Sequence, residues 1–336
     1  MGNLLCFVAI FLADDPDDAQ TAYQTALTVL EHQEQLIETF RAELSSDFIY
    51  RLERRGPLKR QPHQIVETRK GPKFRVDDEC VMDPARSKDP RIDQRAFNGV
   101  KQTTFEPLKK RGAVKSSDIY DPAEYWNAAY GQAKPLGQQL RERASEIRQQ
   151  WVTDNGRRLL EVRWPRPDAF AEVRVWLDPE QRWQPREVCY GHNLPPTAYA
   201  DGRTREVIRS QMLAYFREGD IVLPSEMLRT IDATYPDGQV VRFQECRTRV
   251  HSIHLNEDVS DDVFEIQFPI GTIVYDKDRE VIYTAGKSGS EKRVMARSTS
   301  STAATPGPAW TWWGDWRLWV GLSIACGAAF LWFRWR

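Results

Sequence analysis

Neither sign of charge dominates this sequence. Its 336 residues carry 47 Lys and Arg against 48 Asp and Glu, a formal net charge of −1 at pH 7. A near-neutral chain sets up no long-range field to draw in a polyanion, so nucleic-acid binding would need a local basic patch. The basic residues between Arg86 and Lys115 are interleaved with acids and prolines and read as a solvated face. Nucleic acid is therefore not an expected partner. Cysteine is scarce as well, at 5 residues. Cys6 lies in an N-terminal apolar run and Cys326 in a C-terminal one, which leaves Cys80, Cys189 and Cys246 for the folded part. In a simple meander Cys189 and Cys246 are separated by intervening strands, so all three are expected to be unpaired.

Catalytic motifs are missing too. No Gly-x-Ser-x-Gly, His-Glu-x-x-His or phosphate-cradling glycine loop occurs, so there is no nucleophile or base to name and no cofactor to expect. His251 and His254 stand near Cys246, but residues three apart on a strand face opposite sides, which argues against a metal site. Glu257, Asp258, Asp261 and Asp262 lack the spacing of a calcium loop and read as a solvated turn. The chain is expected not to be an enzyme, and a hydrolase without a recognisable motif is the least favoured reading.

What the sequence does have is strand texture. Within Val207 to Phe216 the residues Ile208, Ser210, Met212, Ala214 and Phe216 fall on every second position, the period of a half-buried strand. From Glu245 to His251 the odd positions are polar, while Cys246, Thr248, Val250 and Ser252 face the other way. Asn155-Gly156, Asp201-Gly202 and Asp237-Gly238 each sit between strand-like runs and tolerate the positive φ of tight hairpins, which predicts a one-sided antiparallel meander.

Nearer the N-terminus, Thr21 to Glu38 has apolar residues at helical spacing. The period then changes, with Phe40, Ala42, Leu44, Ser46, Phe48, Tyr50 and Leu52 on one face of a long first strand. Gln64 to Arg69 is its expected partner, and Gly71-Pro72 turns the chain into Lys73 to Val76. Pro84 to Pro135 is expected to hold loops and short strands, Leu136 to Trp151 a surface helix, and Leu159 to Trp164 and Glu172 to Leu177 further strands. Pro185 favours an edge strand or a bulge.

The two ends differ from the rest. Leu4 to Ala13 is apolar but too short to span a bilayer, and it reads as the core of a signal peptide over residues 1–13, although a positively charged start is missing. Gly2 invites a myristoylation reading, but Cys6 stands where that motif wants Ser or Thr. Gly286 to Pro308 is rich in Gly, Ser, Thr and Ala and reads as a linker over residues 286–309. It leads into Leu318 to Phe333, an uncharged run that at about 1.5 Å per residue falls slightly short of a ~30 Å hydrocarbon core. Trp310, Trp312, Trp313 and Trp316 before the run, with Trp332 and Trp335 at its end, extend it to the two interfaces. Residues 310–336 are therefore expected to form a single transmembrane anchor with a short tail. Arg334 and Arg336 place that tail in the cytoplasm and the folded residues 14–285 outside it, in the periplasm or another extracytoplasmic space.

The order of these elements carries a resemblance. A helix leads into a long amphipathic strand and an antiparallel meander, with Val175-Trp-Leu-Asp-Pro-Glu180 before Trp183-Gln-Pro-Arg-Glu187. Ile221-Val-Leu-Pro224-Ser-Glu226 and the closing Phe264-Glu-Ile-Gln-Phe-Pro-Ile-Gly-Thr272 follow. This resembles the LolA/LolB-like outer-membrane lipoprotein-sorting family, over Glu172 to Tyr283 above all and over Tyr23 to Lys73. The resemblance implies a mainly β (α+β) fold, an antiparallel incomplete β-barrel covered by a few helices, with the C-terminal transmembrane helix added to it. It also implies an apolar concavity that binds an acyl chain or another lipid-like ligand, with Phe40, Leu44, Phe48 and Tyr50 facing Ile208, Met212 and Phe216. The alternative it offers is a sensor like the RseB-type envelope-stress regulators, reporting to an envelope protein partner. No catalytic, cofactor or metal residue comes with the family.

Overall fold

The computed structural model describes residues 16–51, 53–80, 91–130, 134–166, 171–193 and 202–286. The expected signal segment 1–13, the anchor 310–336 and all of the linker but its first residue lie outside the described residues, as does Asp201. Among the described residues no helix is long and apolar enough to cross a membrane.

The chain begins with α1 (Pro16–Gln35), five residues ahead of the helix read from the sequence. A proline at the first helical position lacks only an N–H that would have no partner there. Strands β1 (Thr39–Tyr50), β2 (Lys59–Lys70) and β3 (Lys73–Cys80) follow as expected. Within 84–135 the described residues form β4 (Arg91–Phe97), β5 (Gln102–Glu106), β6 (Arg111–Lys115) and α2 (Glu124–Tyr130). The helix expected over Leu136 to Trp151 is shorter: α3 (Leu136–Glu142) stops and β7 (Arg148–Asp154) begins. Then come β8 (Arg157–Arg166), β9 (Ala171–Asp178), β10 (Gln184–Asn193), β11 (Arg205–Glu218), β12 (Ile221–Thr234), β13 (Val240–Leu255), β14 (Ile273–Asp276) and β15 (Val281–Thr284).

These elements divide into two compact units, with boundaries inside α2 and inside β13. The first holds residues 16–36 and Ala128–Arg242, and in it β7 to β12 lie side by side in chain order, all antiparallel. Helix α1 packs on β7, β8 and α3. Tyr23, Ala26 and Leu30 of α1, Leu140 of α3 and the face formed by Leu160, Val162, Val175 and Val188 are all buried. Asn155 (φ 49°) and Gly156 (φ 78°) make the expected tight β7–β8 hairpin, since only a primed turn has both central residues at positive φ. Gly238 (φ 79°) sits in the β12–β13 turn, where the Tyr235 N–H donates to the Gln239 carbonyl at 3.0 Å. Gly202 belongs instead to a long connection between Asn193 and Arg205 and not to a tight hairpin. Pro185 marks a bulge, with a register shift before Glu187, on a strand paired on both sides; the edge reading does not hold.

In the second unit the neighbours run β13-β1-β2-β3-β4-β5-β6-β14-β15. Every pair is antiparallel except β6–β14, which is parallel. A parallel neighbour cannot be reached by a tight turn; β14 comes far after β6 in the chain, delivered by the 256–272 connection from β13, so the all-antiparallel expectation fails at this pair. Among the described residues, strand β7 in the first unit and β15 in the second each have one strand neighbour and are edge strands.

Candidate functional site

The side-chain alternation of β1 decides what faces what in the second unit. Phe40, Ala42, Leu44, Ser46, Phe48 and Tyr50 share one face, joined by Ile65 and Glu67 on β2 and by Val76, Asp78 and Cys80 on β3. One end of this face is dry. Phe40 stacks on Trp126 at 5.5 Å and meets Tyr125 at 5.0 Å, and both Phe40 and Leu44 are 1% exposed. Phe48 and Tyr50 are less tightly buried, and polar side chains take over around them.

The middle of the face is charged. Glu67 is fully buried; one carboxylate oxygen accepts the Tyr125 N–H at 2.8 Å and the other pairs with the Arg69 Nε. Arg69 forks onto Asp121 at 2.7 and 2.6 Å, and Asp121 in turn accepts the Ala123 N–H at 2.9 Å. A buried charge is tolerated when its partners saturate it. This chain of contacts clamps the segment leading into α2 onto β2. Glu124, in the first turn of α2, has its pKa pushed up to about 7 by burial, which the charge of Arg95 opposes and those of Asp78 and Glu67 reinforce.

Beyond it lies a compact trio. His63 and Cys80 are direct cross-strand partners on β2 and β3, and Asp78 sits two residues before Cys80 on the same face. His63 Nδ1 donates to Asp78 Oδ1 at 2.8 Å, the Gln61 amide donates to Cys80 Sγ at 2.7 Å, and Phe48 meets the His63 ring edge-on at 5.0 Å. Burial works against protonation of His63, but hydrogen bonds to Asp78 and Cys80, together with their charges, outweigh it and raise the pKa to about 10. A thiol, an imidazolium and a carboxylate that orients it are thus within reach of one another.

The residues expected to line a concavity divide between the units. Phe40, Leu44, Phe48 and Tyr50 share their face in the second. In the first, Ile208 and Met212 are buried beside Ser210, whereas Phe216 is half-buried. Register shifts at Met212/Ala214 and Ala214/Tyr215 interrupt the simple alternation before Phe216 is reached. Met212 also lines a groove of about 410 Å³ with Val152, Leu159, Trp176 and Gln211. Cys80, Cys189 and Cys246 form no disulfide, as expected. No group of three or more metal-ligating side chains is found among the described residues. Sequence motifs give no role to Gln61, His63 and Asp78 and mark Cys80 only as an unpaired cysteine; the Gly71-Pro72 turn is the signal that places them. A two-residue turn pairs Lys70 with Lys73, and counting back from it sets His63 opposite Cys80.

No family model matches the sequence, and no curated protein matches it. Solved structures do. The chain is similar to a LolA superfamily protein from Nitrosomonas europaea, at 12% identity over 72% of this chain and 98% of that one, with a TM-score of 0.41. An outer membrane lipoprotein-sorting protein domain from Vibrio parahaemolyticus matches at 11% identity over 72% and 97%, TM-score 0.40. A DUF1329 family protein from Desulfovibrio piger matches at 9% identity over 72% and 97%, TM-score 0.41.

Proposed function

We propose that this chain is a membrane-anchored, extracytoplasmic binding protein that holds an acyl chain or a comparable apolar tail and does not transform it. The observation that carries this reading is the gradient along β1. Its apolar strip is dry from Phe40 to Leu44 and only half-buried at Phe48 and Tyr50. Apolar surface left half in water is where an apolar ligand gains most from burial, at about 25 cal/mol per Å² removed from water. The polar neighbours Gln61 and His63 suit the head of an amphiphile, since pockets of this kind orient a ligand with a few polar groups beside an apolar wall. The apolar run at each end of the sequence supports export and anchoring.

The test is direct. Full-length protein purified in mild detergent is expected to carry lipid detectable by mass spectrometry and to bind a fluorescent acyl probe; the absence of both removes the reading. A reporter fused to the C-terminus is expected to work only when it needs the cytoplasm, and activity confined to an export-dependent reporter overturns the anchoring.

A further inference from the structure

We propose that Cys80 is a peroxide-reactive thiol, with His63 as its proton partner and Asp78 as the residue that positions the imidazole. The geometry does not depend on the ligand reading above. His63 and Cys80 face each other across β2 and β3, Asp78 holds His63 Nδ1 at 2.8 Å, and Gln61 donates to the sulfur at 2.7 Å. An imidazole oriented by a carboxylate and placed beside a sulfur activates it as a nucleophile. A donor already aimed at the sulfur stabilises negative charge there.

The surroundings fit the same chemistry. On β4, Arg91 is the direct cross-strand partner of Cys80 and pairs with Asp93 at 2.8 Å, so a second cation stands at the same register position. Glu124 of α2 feels the charges of Asp78 and His63 as well as those of Arg95 on β4 and Glu67 on β2, which adds these groups to the charged surroundings of the trio. Burial selects the reagent. Cys80 is only 4% exposed, which excludes a bulky acyl donor or a protein disulfide and admits a small uncharged molecule. Hydrogen peroxide and small organic hydroperoxides have that size and charge.

The step balances without any further reactant. Sulfur attacks one peroxide oxygen, an S–O bond forms and the O–O bond breaks. The thiol is oxidised by two electrons to sulfenic acid and the peroxide is reduced to water or an alcohol, with the proton held by His63 passing to the departing oxygen. Gln61 then faces the oxidised sulfur.

The remaining cysteines serve as internal controls. Burial pushes the Cys189 thiol up, against the opposing charge of Arg209, and Cys246 is as buried as Cys80 with the Thr248 hydroxyl at 3.7 Å. Full-length reduced protein is treated with dilute hydrogen peroxide for timed intervals, the peroxide is removed with catalase, the chain is unfolded in the presence of dimedone so that every sulfenic acid is reached, and labelling is followed cysteine by cysteine by peptide mass spectrometry. Cys80 is expected to label at least about tenfold faster than Cys189 or Cys246, as activated thiols do relative to inert buried ones. Equal or slower labelling of Cys80 overturns the proposal with no variant needed. His63→Asn is expected to slow Cys80 by about tenfold. Asp78→Asn, which keeps the shape of the side chain, is expected to lose more of the rate at about pH 8 than at about pH 6.5, because an imidazole without its carboxylate partner gives up the proton it must supply between those two values. Folded variants that label like the parent at every pH overturn the roles of both residues.

Discussion

The two units solve one problem in opposite ways. In the first, the strand face under α1 is covered with Tyr23, Ala26 and Leu30 against Leu160, Val162 and Val175, and burial of apolar surface does the holding. In the second, the face under the start of α2 is held by Glu67, Arg69 and Asp121, a saturated ionic chain that includes a fully buried carboxylate. An apolar cover is forgiving, since losing one contact leaves a cavity; an ionic cover fails at once, since losing one partner leaves a buried charge. The first arrangement suits a scaffold. The second suits a surface whose polar groups are kept for chemistry or recognition.

The sharpest way to break this comparison is Arg69→Ala. It strands Glu67 and Asp121 together, and about 3 to 5 kcal/mol of stability is expected to go, measured by chemical denaturation. Leu160→Ala in the first unit is expected to cost about 2 to 5 kcal/mol through its cavity alone. The two variants differ in salt dependence. Added salt and low pH are expected to soften the Arg69→Ala defect and to leave the Leu160→Ala defect as it was; equal responses would erase the contrast.

Acidity separates the units less strongly. Glu34 in the first unit and Glu124 in the second both have pKa values raised from the ordinary 4.5 to about 7, chiefly by burial. The folded state then holds these protons more tightly than the unfolded chain, so stability falls as pH rises from about 4.5 to about 7. At about 1.4 kcal/mol per pKa unit, each carboxylic acid contributes on the order of 3 kcal/mol to that slope. His63 continues the trend: its pKa is raised to about 10, so its contribution is complete below its ordinary 6.5 and is lost as pH climbs through 10. Glu34→Gln and Glu124→Gln are each expected to flatten the descent between pH 5 and 7 in denaturant midpoints, and an unchanged slope in both would remove the burial argument.

Two glycines sharpen the comparison at closer range. A Cβ at Gly137 would stand 2.9 Å from the Glu34 carboxylate, which accepts the Gly137 N–H at 2.6 Å. A Cβ at Gly112 on β6 would stand 2.2 Å from the Phe268 ring. Overpacking of this kind costs about 1 to 3 kcal/mol. Gly112→Ala is expected to cost more than Gly137→Ala in melting temperature, because an aromatic ring wedged against Phe105 has less room to give than a carboxylate.

Much of the strand framework was legible because it is local. The period of β1, the alternation of β13 and the Asn155-Gly156 hairpin follow from neighbouring residues, and so would the placing of His63 opposite Cys80 once the Gly71-Pro72 turn is counted. The parallel β14 was not legible, since it depends on where a crossover lands. Nor was the ionic chain: Arg69 and Asp121 are 52 positions apart, and nothing in either segment names the other. Apolar alternation points to a site made of apolar residues and leaves the polar members of the same face unmarked, because alternation marks which way a side chain points and not what it meets there.

The smallest effect bears most directly on binding, and it lies within the second unit. Phe40 and Phe48 stand on the same face of β1, eight residues apart in sequence, the first sealed by Tyr125 and Trp126 and the second half-exposed beside His63. Phe40→Ala empties a closed site and is expected to cost about 3 to 5 kcal/mol. Phe48→Ala removes a ring that already shares its surface with water, so the stability loss is expected to stay below about 2 kcal/mol. Its effect on binding should run the other way, with the acyl probe weakened by Phe48→Ala and unaffected by Phe40→Ala in whatever fraction remains folded. If Phe48→Ala instead destabilises as much as Phe40→Ala, the strip on β1 is core along its whole length and the apolar ligand has no place on it.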